Sequence, residues 1–302
     1  FNNTMKPSAN QAINKSGHQQ ISQSYDHCRH VARTRAGNFY YSFIVLPAER
    51  RRAMCAVYAF MRYCDDIVDE GGSNADKQNR LNQWRGALNE AYDSSGDFSH
   101  DILPAFQDTV THFSIPKSYF EAIIDGAEMD LSVTRYLTYE DLYQYCYRVA
   151  SAVGLVCIHI FGFTDESAKK YAESCGIAFQ LTNILRDIQE DLEMDRVYLP
   201  QEDLEAYGYT EEDIQRGVLD DRFKQLMAFE VGRAKKCYEE ALPLLPLIHP
   251  SSRACLAAMI RIYRENLFEI ERRNYDIYHQ RIRLSAWKKL AIAAHALIRK
   301  RV

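Results

Sequence analysis

The sequence predicts a single all-α domain with no β-sheet, and three observations carry that prediction. Glycine (13) and proline (8) are scarce in 302 residues, as expected where tight turns are few. Apolar residues recur at helical spacing in one segment after another. No strand-like alternation, internal repeat or composition break divides the chain. With 47% hydrophobic and 26% charged residues, the composition is globular and supplies ample core material.

About ten helices are expected. The N-terminal stretch "FNNTMKPSANQAINKSGHQQ" is polar, so residues 1–20 are expected to be disordered, with Phe1 to Thr4, ahead of the first Met, outside the native chain. Residues 21–302 form the expected helical domain. Pro47, suited to a first helical turn, opens "LPAERRRAMCAVYAFMRYCDDIVDE", where Met54, Val57, Tyr58 and Met61 share one face. A more polar outer helix starts near Asn79 and ends near "DSSGD". Pro104 and Pro116 begin the next two. Thr138, with Asp141 three residues on, predicts a capped helix through "YEDLYQYCYRVASAVGLVCIHIFG". Thr164 or Asp165 is the expected cap of a long helix through "SAKKYAESCGIAFQLTNILRDIQEDLE". After the looser "MDRVYLPQEDLEAYGYT", helices are expected from about Asp220 to Leu247, Ser251 to Tyr275, and Ser285 to the end.

Several classes of function are disfavoured at once. Net charge is −4, so no global basic field recruits nucleic acid. The eight cysteines form no C-x-x-C pair and sit in apolar runs, which reads as buried free thiols in a reducing compartment rather than a zinc or disulfide framework. No apolar run reaches the ~18–20 residues of a spanning helix, and no secretory signal is seen, so a cytoplasmic protein is expected. The chain is rich in Tyr (20) and Phe (14), which suits either plain packing or the lining of an apolar ligand cavity.

Two acidic pairs carry the chemistry. "CDDIVDE" places Asp65 and Asp69 four apart; "NILRDIQEDLE" places Asp187 and Asp191 four apart. On a helix each pair lies on one face, ~5–6 Å apart, and is mildly unfavourable alone. Asp66 and Glu70 fall on a neighbouring ridge, about 100° away, as outer or solvated groups. Two pairs facing one another across a bundle call for a cation between them, and Mg²⁺ favours such oxygen ligands together with substrate phosphates. Arg62, Asn183 and Arg186 stand beside the pairs, and a metal with arginine is a clamp for a diphosphate. Each pair on its own is more often a solvated helix face.

The wording around the pairs is more specific. "YAFMRYCDDIVDE", "IDGAEMDL", "YCYRVASAVGLVCIHIFG" and "AFQLTNILRDIQEDLEMDRVYLP" resemble, in order and separation, the signatures of the squalene/phytoene synthase family. The resemblance runs from about Gly37 to the C-terminus. It implies an isoprenoid-synthase-type helical bundle around a central cavity, joining two prenyl diphosphates head to head with Mg²⁺, or Mn²⁺ in its place. By the same resemblance Asp65 and Asp69 bind metal at one diphosphate, and Asp187 and Asp191 at the other. Tyr58, Arg62, Gln180, Asn183, Arg186 and Arg196 line the diphosphate sites. Tyr263 matches a tyrosine that reaches a diphosphate, and Arg281 a late arginine if one residue is inserted after "NY". Tyr145 matches a tyrosine implicated in proton removal; Phe39 and Phe43 match aromatics near the substrate entrance and chain pocket. Read as residues alone, Tyr145 and Tyr263 are equally packing tyrosines, Phe39 and Phe43 are more often core than site, and Gln180 is ambiguous.

The implied chemistry is carbocationic. One allylic diphosphate ionises, the 2,3-double bond of a second attacks, and proton loss to Tyr145 or to released diphosphate closes a cyclopropane. "VASAVG" at 149–154 resembles the bacterial presqualene diphosphate synthases of hopanoid pathways, which points to two farnesyl diphosphates. The alternatives are phytoene synthesis from two geranylgeranyl diphosphates, or continuation to squalene or dehydrosqualene. NADPH is not expected, and oligomeric state stays open. A class I terpene cyclase is disfavoured by the second D-x-x-x-D, and a non-catalytic helical factor by the intact set of acids and arginines. The basic tail "SAWKKLAIAAHALIRKRV" reads first as a last core helix with Lys288, Lys289, Arg299, Lys300 and Arg301 solvated, and second as a peripheral contact with an anionic membrane.

Overall fold

The computed structural model describes residues 9–93 and 98–299. Among them are fifteen α-helices, one π-helical turn and no strand; two isolated bridges, Arg135–Val197 and Phe163–Ile248, are the extent of β pairing. In chain order the helices are α1 (Ala9–Arg35), α2 (Gly37–Phe43), α3 (Ala48–Asp69), α4 (Asn74–Asp93), α5 (Leu103–His112), α6 (Lys117–Met129) and α7 (Tyr139–Cys146). The π turn (Tyr147–Ser151) leads directly into α8 (Ala152–Phe161). Then follow α9 (Ala168–Glu193), α10 (Gln201–Ala206), α11 (Glu211–Gln215), α12 (Asp221–Ala241), α13 (Leu244–Leu247), α14 (Arg253–Arg272) and α15 (Ala286–Arg299).

Local chemistry explains most boundaries and the departures from expectation. Residues 9–20, expected to be disordered, are helical and continuous with the rest of α1; a polar stretch without proline keeps fair helix propensity. Residues 1–8, including Phe1 to Thr4, lie outside the described residues. Helix α4 starts five residues before the expected Asn79, because Ser73 caps it: its Oγ accepts from the Asp76 amide (3.2 Å) and donates to the Asp76 carboxylate (2.6 Å). Thr138 and Asp141 form the expected capping box on α7. The expected cap of α9 does not form as such; Asp165 accepts from the Ser167 amide (2.8 Å) one turn ahead of the helix. The looser segment after α9 holds two short helices, and α12 ends at Ala241 rather than Leu247 because Pro243 and Pro246 cannot continue its hydrogen-bond ladder.

The bundle is built around α9, which packs against α8, α12, α14 and the π turn. Two glycines let these backbones approach. A Cβ on Gly176 of α9 would stand 2.5 Å from Ser151 Cα, and one on Gly126 of α6 would stand 2.8 Å from a Val149 methyl. The π turn is thus held between α6 and α9 where only glycine fits. The run Tyr139–Phe161 forms one continuous 23-residue helix, long and apolar enough to cross a membrane by length and composition. That corrects the expectation of no such segment; here the helix lies between α6 and α9, with 56% of its apolar window buried. All eight cysteines are free and buried, as expected.

The tail departs from its first reading. Helix α15 packs on α14 through alanines, Ala293 and Ala296 against Ala257 and Ala258. Ile292 joins that contact, while most of the larger apolar residues face outward, Trp287 and Ile298 each 82% exposed. Lys288 pairs with Glu265 (2.6 Å), and Lys289 is turned toward the Tyr41 ring (5.8 Å). The side chain of Arg299, with Lys300 and Arg301, lies outside the described residues.

Candidate active site

Three helical stripes converge on one elongated cavity of about 330 Å³. From α3 come Tyr58, Met61, Arg62, Asp65, Val68 and Asp69, spaced i, i+3, i+4, i+7, i+10, i+11. Helix α9 supplies Ala172, Cys175, Gly176 and Phe179, then Gln180 and Asn183. From the α7–α8 helix come Tyr145, Val149, Gly154, Cys157 and Phe161. An unbroken α-helix would rotate that third stripe away over four turns; the π turn winds fewer degrees per residue and keeps it facing inward. At 1.5 Å per residue the cavity follows this helix for roughly 24 Å. One end carries the carboxylates; the other is apolar, closed by Phe161, Leu244 and Leu256.

At the polar end the first acidic pair splits its roles. Arg62 grips Asp66 (2.5 Å) and stands 3.8 Å from Asp69. Asp66 is also held by Arg35 (2.6 Å). The ridge expected to be outer or solvated therefore neutralises Arg62, while Asp69 stays 54% exposed. Asp65 is exposed, its surface turned to the cavity, with protein atoms crowded around that opening. Desolvation pushes its carboxyl up to about 7, against the opposing pull of Arg62.

The second pair is shaped by a kink. Asp187 has non-helical angles (φ −109°, ψ 16°) inside α9. Arg186 closes on its carboxylate with two hydrogen bonds, one of 2.8 Å. Asp191, one turn on, is pushed up to about 7 by desolvation and by Asp187. Among the described residues no side-chain donor reaches the carboxylates of Asp65 or Asp191, and no three acids converge into a ready-made chelate. Two unpartnered, desolvated carboxylates on opposing helices fit a hydrated divalent cation that completes its shell with substrate phosphate.

Arg196 joins the two halves. Its Nη2 donates to the Asp130 carbonyl (3.3 Å), and it counters the charges of Asp69, Asp130 and Asp191. Asp130, a cavity residue that sequence reasoning did not single out, ends a chain of hydroxyls. Tyr145 Oη donates to Tyr198 Oη (3.2 Å), and Tyr198 Oη donates to Asp130 Oδ1 (3.2 Å). Burial holds the Tyr145 phenol well above its ordinary range. The signal for Asp130 was the string "IDGAEMDL", which names no partner; only the fold shows what its carboxylate meets.

The aromatic wall lies opposite. Tyr263 stacks on Phe179 (4.2 Å, 7°) and tilts against Phe39 (5.6 Å). Its phenol is raised to about 12 by burial, as is that of Tyr58. Of the sequence-predicted residues, Phe39, Tyr58, Arg62, Asp65, Asp69, Tyr145, Gln180, Asn183 and Tyr263 border the cavity together. Arg186, Asp187, Asp191 and Arg196 do not line it themselves; Asp191 and Arg196 border a small crevice beside Tyr198, and Arg196 reaches the cavity residue Asp130. Two more lie apart from it. Phe43, one turn past Phe39, is packed in the core at 2% exposure. Arg281 lies on the surface, paired with Glu190 (2.6 Å).

The squalene/phytoene synthase family model matches residues 32–288. The chain belongs to the squalene/phytoene synthase family. It is 38% identical over 281 residues to the phytoene synthase of Mycobacterium tuberculosis, covering 92% of each chain. It is 35% identical over 296 residues to the 15-cis-phytoene synthase of Synechococcus elongatus, covering 93% of this chain and 95% of the relative. Among solved structures, a dehydrosqualene synthase in complex with ligand aligns at TM-score 0.84 and 27% identity, covering 92% of this chain and 97% of that one. A squalene synthase, HpnC, from Alicyclobacillus acidocaldarius aligns at 0.78 and 29%, covering 86% and 97%. The family fixes the reaction class: the chain is a prenyltransferase acting on prenyl diphosphates by head-to-head condensation.

Proposed function

We propose that the enzyme condenses two geranylgeranyl diphosphates to phytoene. The observation that carries this reading is the 35–38% identity to phytoene synthases over more than nine tenths of the chain. It displaces the farnesyl diphosphate reading drawn from "VASAVG". The same residues support a long substrate in another way: Ala150 and Gly154, with Ala172, Cys175 and Gly176 opposite, line the apolar part of the cavity with small side chains.

Each residue then has a role. Asp65 and Asp69 on one side, and Asp187 and Asp191 on the other, would hold Mg²⁺, which when bound neutralises diphosphate charge and makes it a better leaving group. Arg62, Arg186 and Arg196 donate to the phosphate oxygens, Arg62 and Arg186 exchanging part of their present carboxylate contacts for substrate and Arg196 its contact with the Asp130 carbonyl. Tyr58, Gln180 and Asn183 orient the diphosphates. Phe39, Phe179 and Tyr263 exclude water from the allylic cation and offer it their ring faces. The cyclopropane closes by losing a proton, and a neutral phenol can take it only by passing its own along. Tyr145 Oη accepts it, the Tyr145 hydrogen moves to Tyr198, and the Tyr198 hydrogen moves to Asp130, which ends as the acid. A second ionisation and a final proton loss give the hydrocarbon, so no NADPH is consumed.

Product analysis by mass spectrometry tests the reading, with Mg²⁺ and fifteen- and twenty-carbon diphosphates offered together, with and without NADPH. A forty-carbon hydrocarbon formed without NADPH is expected. Thirty-carbon products alone would restore the farnesyl reading, and a cyclic monomer would replace both with a cyclase.

A further inference from the structure

We infer that the outer face of α15 is a docking surface for an anionic phospholipid bilayer. On the helix, Trp287, Ala291, Ala294 and Ile298 fall in one stripe, flanked by Leu290 and Leu297. All six are exposed, Trp287 and Ile298 at 82%. The inner face that meets α14 is built of Ala293 and Ala296 with Ile292 beside them, so most of the apolar mass of this amphipathic helix points away from the protein. A core helix would show the reverse.

Charge selects the occupant. No acidic residue follows Asp276, while Lys and Arg recur seven times between Arg281 and Arg301, in a chain whose net charge is −4; two of them, Arg281 and Lys288, are met by Glu190 and Glu265. An apolar stripe on a basic segment fits an anionic lipid surface, where the aromatic ring at 287 would sit at headgroup level. A second copy docking by the same face would bring two basic segments together at the cost of repulsion. The surface also lies near the cavity: α15 packs on α2 as well as α14, and these helices supply Phe39 and Tyr263 to the aromatic wall. The inference does not depend on the length of the prenyl chain.

The test is co-sedimentation of the full chain with phosphatidylcholine vesicles, with and without about 30% phosphatidylglycerol, at low and high salt. Tryptophan emission is followed in parallel. The chain has two tryptophans and Trp84 is only 8% exposed, so a blue shift on binding reports Trp287. Binding to the anionic vesicles alone is expected, weakened by salt, and reduced on the order of tenfold in the W287S/I298S double variant. That variant should keep its circular dichroism and its turnover of detergent-dispersed substrate, since neither residue touches the cavity. Equal binding to neutral vesicles, binding unaffected by the double variant, or a dimer that the double variant dissolves would each overturn the inference.

Discussion

Arg186 closes on the carboxylate of Asp187, its own neighbour in the chain, and the contact exists because Asp187 leaves helical geometry inside α9. In a regular helix adjacent side chains diverge by about 100°. The kink lets one arginine neutralise an acid of the second pair, and under the proposed function substrate and cation would have to part the two. Asp187→Ala, and likewise Asp65→Ala, should lower turnover by roughly a thousandfold or more while the helical circular dichroism persists. Loss of folding instead would make these acids structural.

Stability should depend on pH and metal together. Asp65 and Asp191 are raised from 3.8 to about 7, so the folded state holds protons that the unfolded chain has released. Their contribution is full below about pH 4 and is lost as pH rises through about 7. Mg²⁺ binds the deprotonated forms. The rise in melting temperature on adding Mg²⁺ should therefore be larger at about pH 8 than at about pH 5.5. An equal rise at both would show that these carboxylates are not the ligands.

The hydroxyl chain makes a separable prediction. Tyr198→Phe leaves Tyr145 in place but removes the link to Asp130. It should lower kcat by roughly 10- to 100-fold with little change in KM, and prenyl alcohol from quenched cations should increase. An unchanged kcat would assign proton removal to the departing diphosphate.

Gly176 has a structural task. A methyl there would stand 2.5 Å from Ser151 Cα, and backbone cannot yield as a side-chain tip can. Gly176→Ala should cost about 1–3 kcal/mol, read as a lower denaturation midpoint. Gly232, with open space around its Cβ position, is the control.

Chain length should respond at the apolar end. Cys157, on the α8 stripe and 5% exposed, faces the cavity well away from the acids. Cys157→Phe should depress forty-carbon product at least tenfold relative to thirty-carbon product, measured by competition between the two diphosphates. Equal loss of both would mean that the floor lies elsewhere.

The sequence by itself determined the all-α class, the family and several helix starts, among them the capped start of α7, because helical periodicity, capping residues and proline are local signals. It also placed Met54, Val57, Tyr58 and Met61 on one face of the third helix, and Asp65 with Asp69 on one face. It did not show that Phe43 is packed in the core or that Arg281 pairs with Glu190 at the surface, since a match in wording carries no information on what a side chain packs against. Asp66 was read as an outer or solvated group, and only the fold shows which, by bringing Arg35 from α1 beside it. Asp130 acquires meaning only from Tyr198 and Arg196, more than sixty residues downstream. The outward apolar face of α15 was likewise hidden, since an amphipathic pattern states that a helix has two faces and not which one meets the protein. Tertiary structure decided these points because they depend on burial and on contacts between distant segments, and those are set by packing rather than by spacing along the chain.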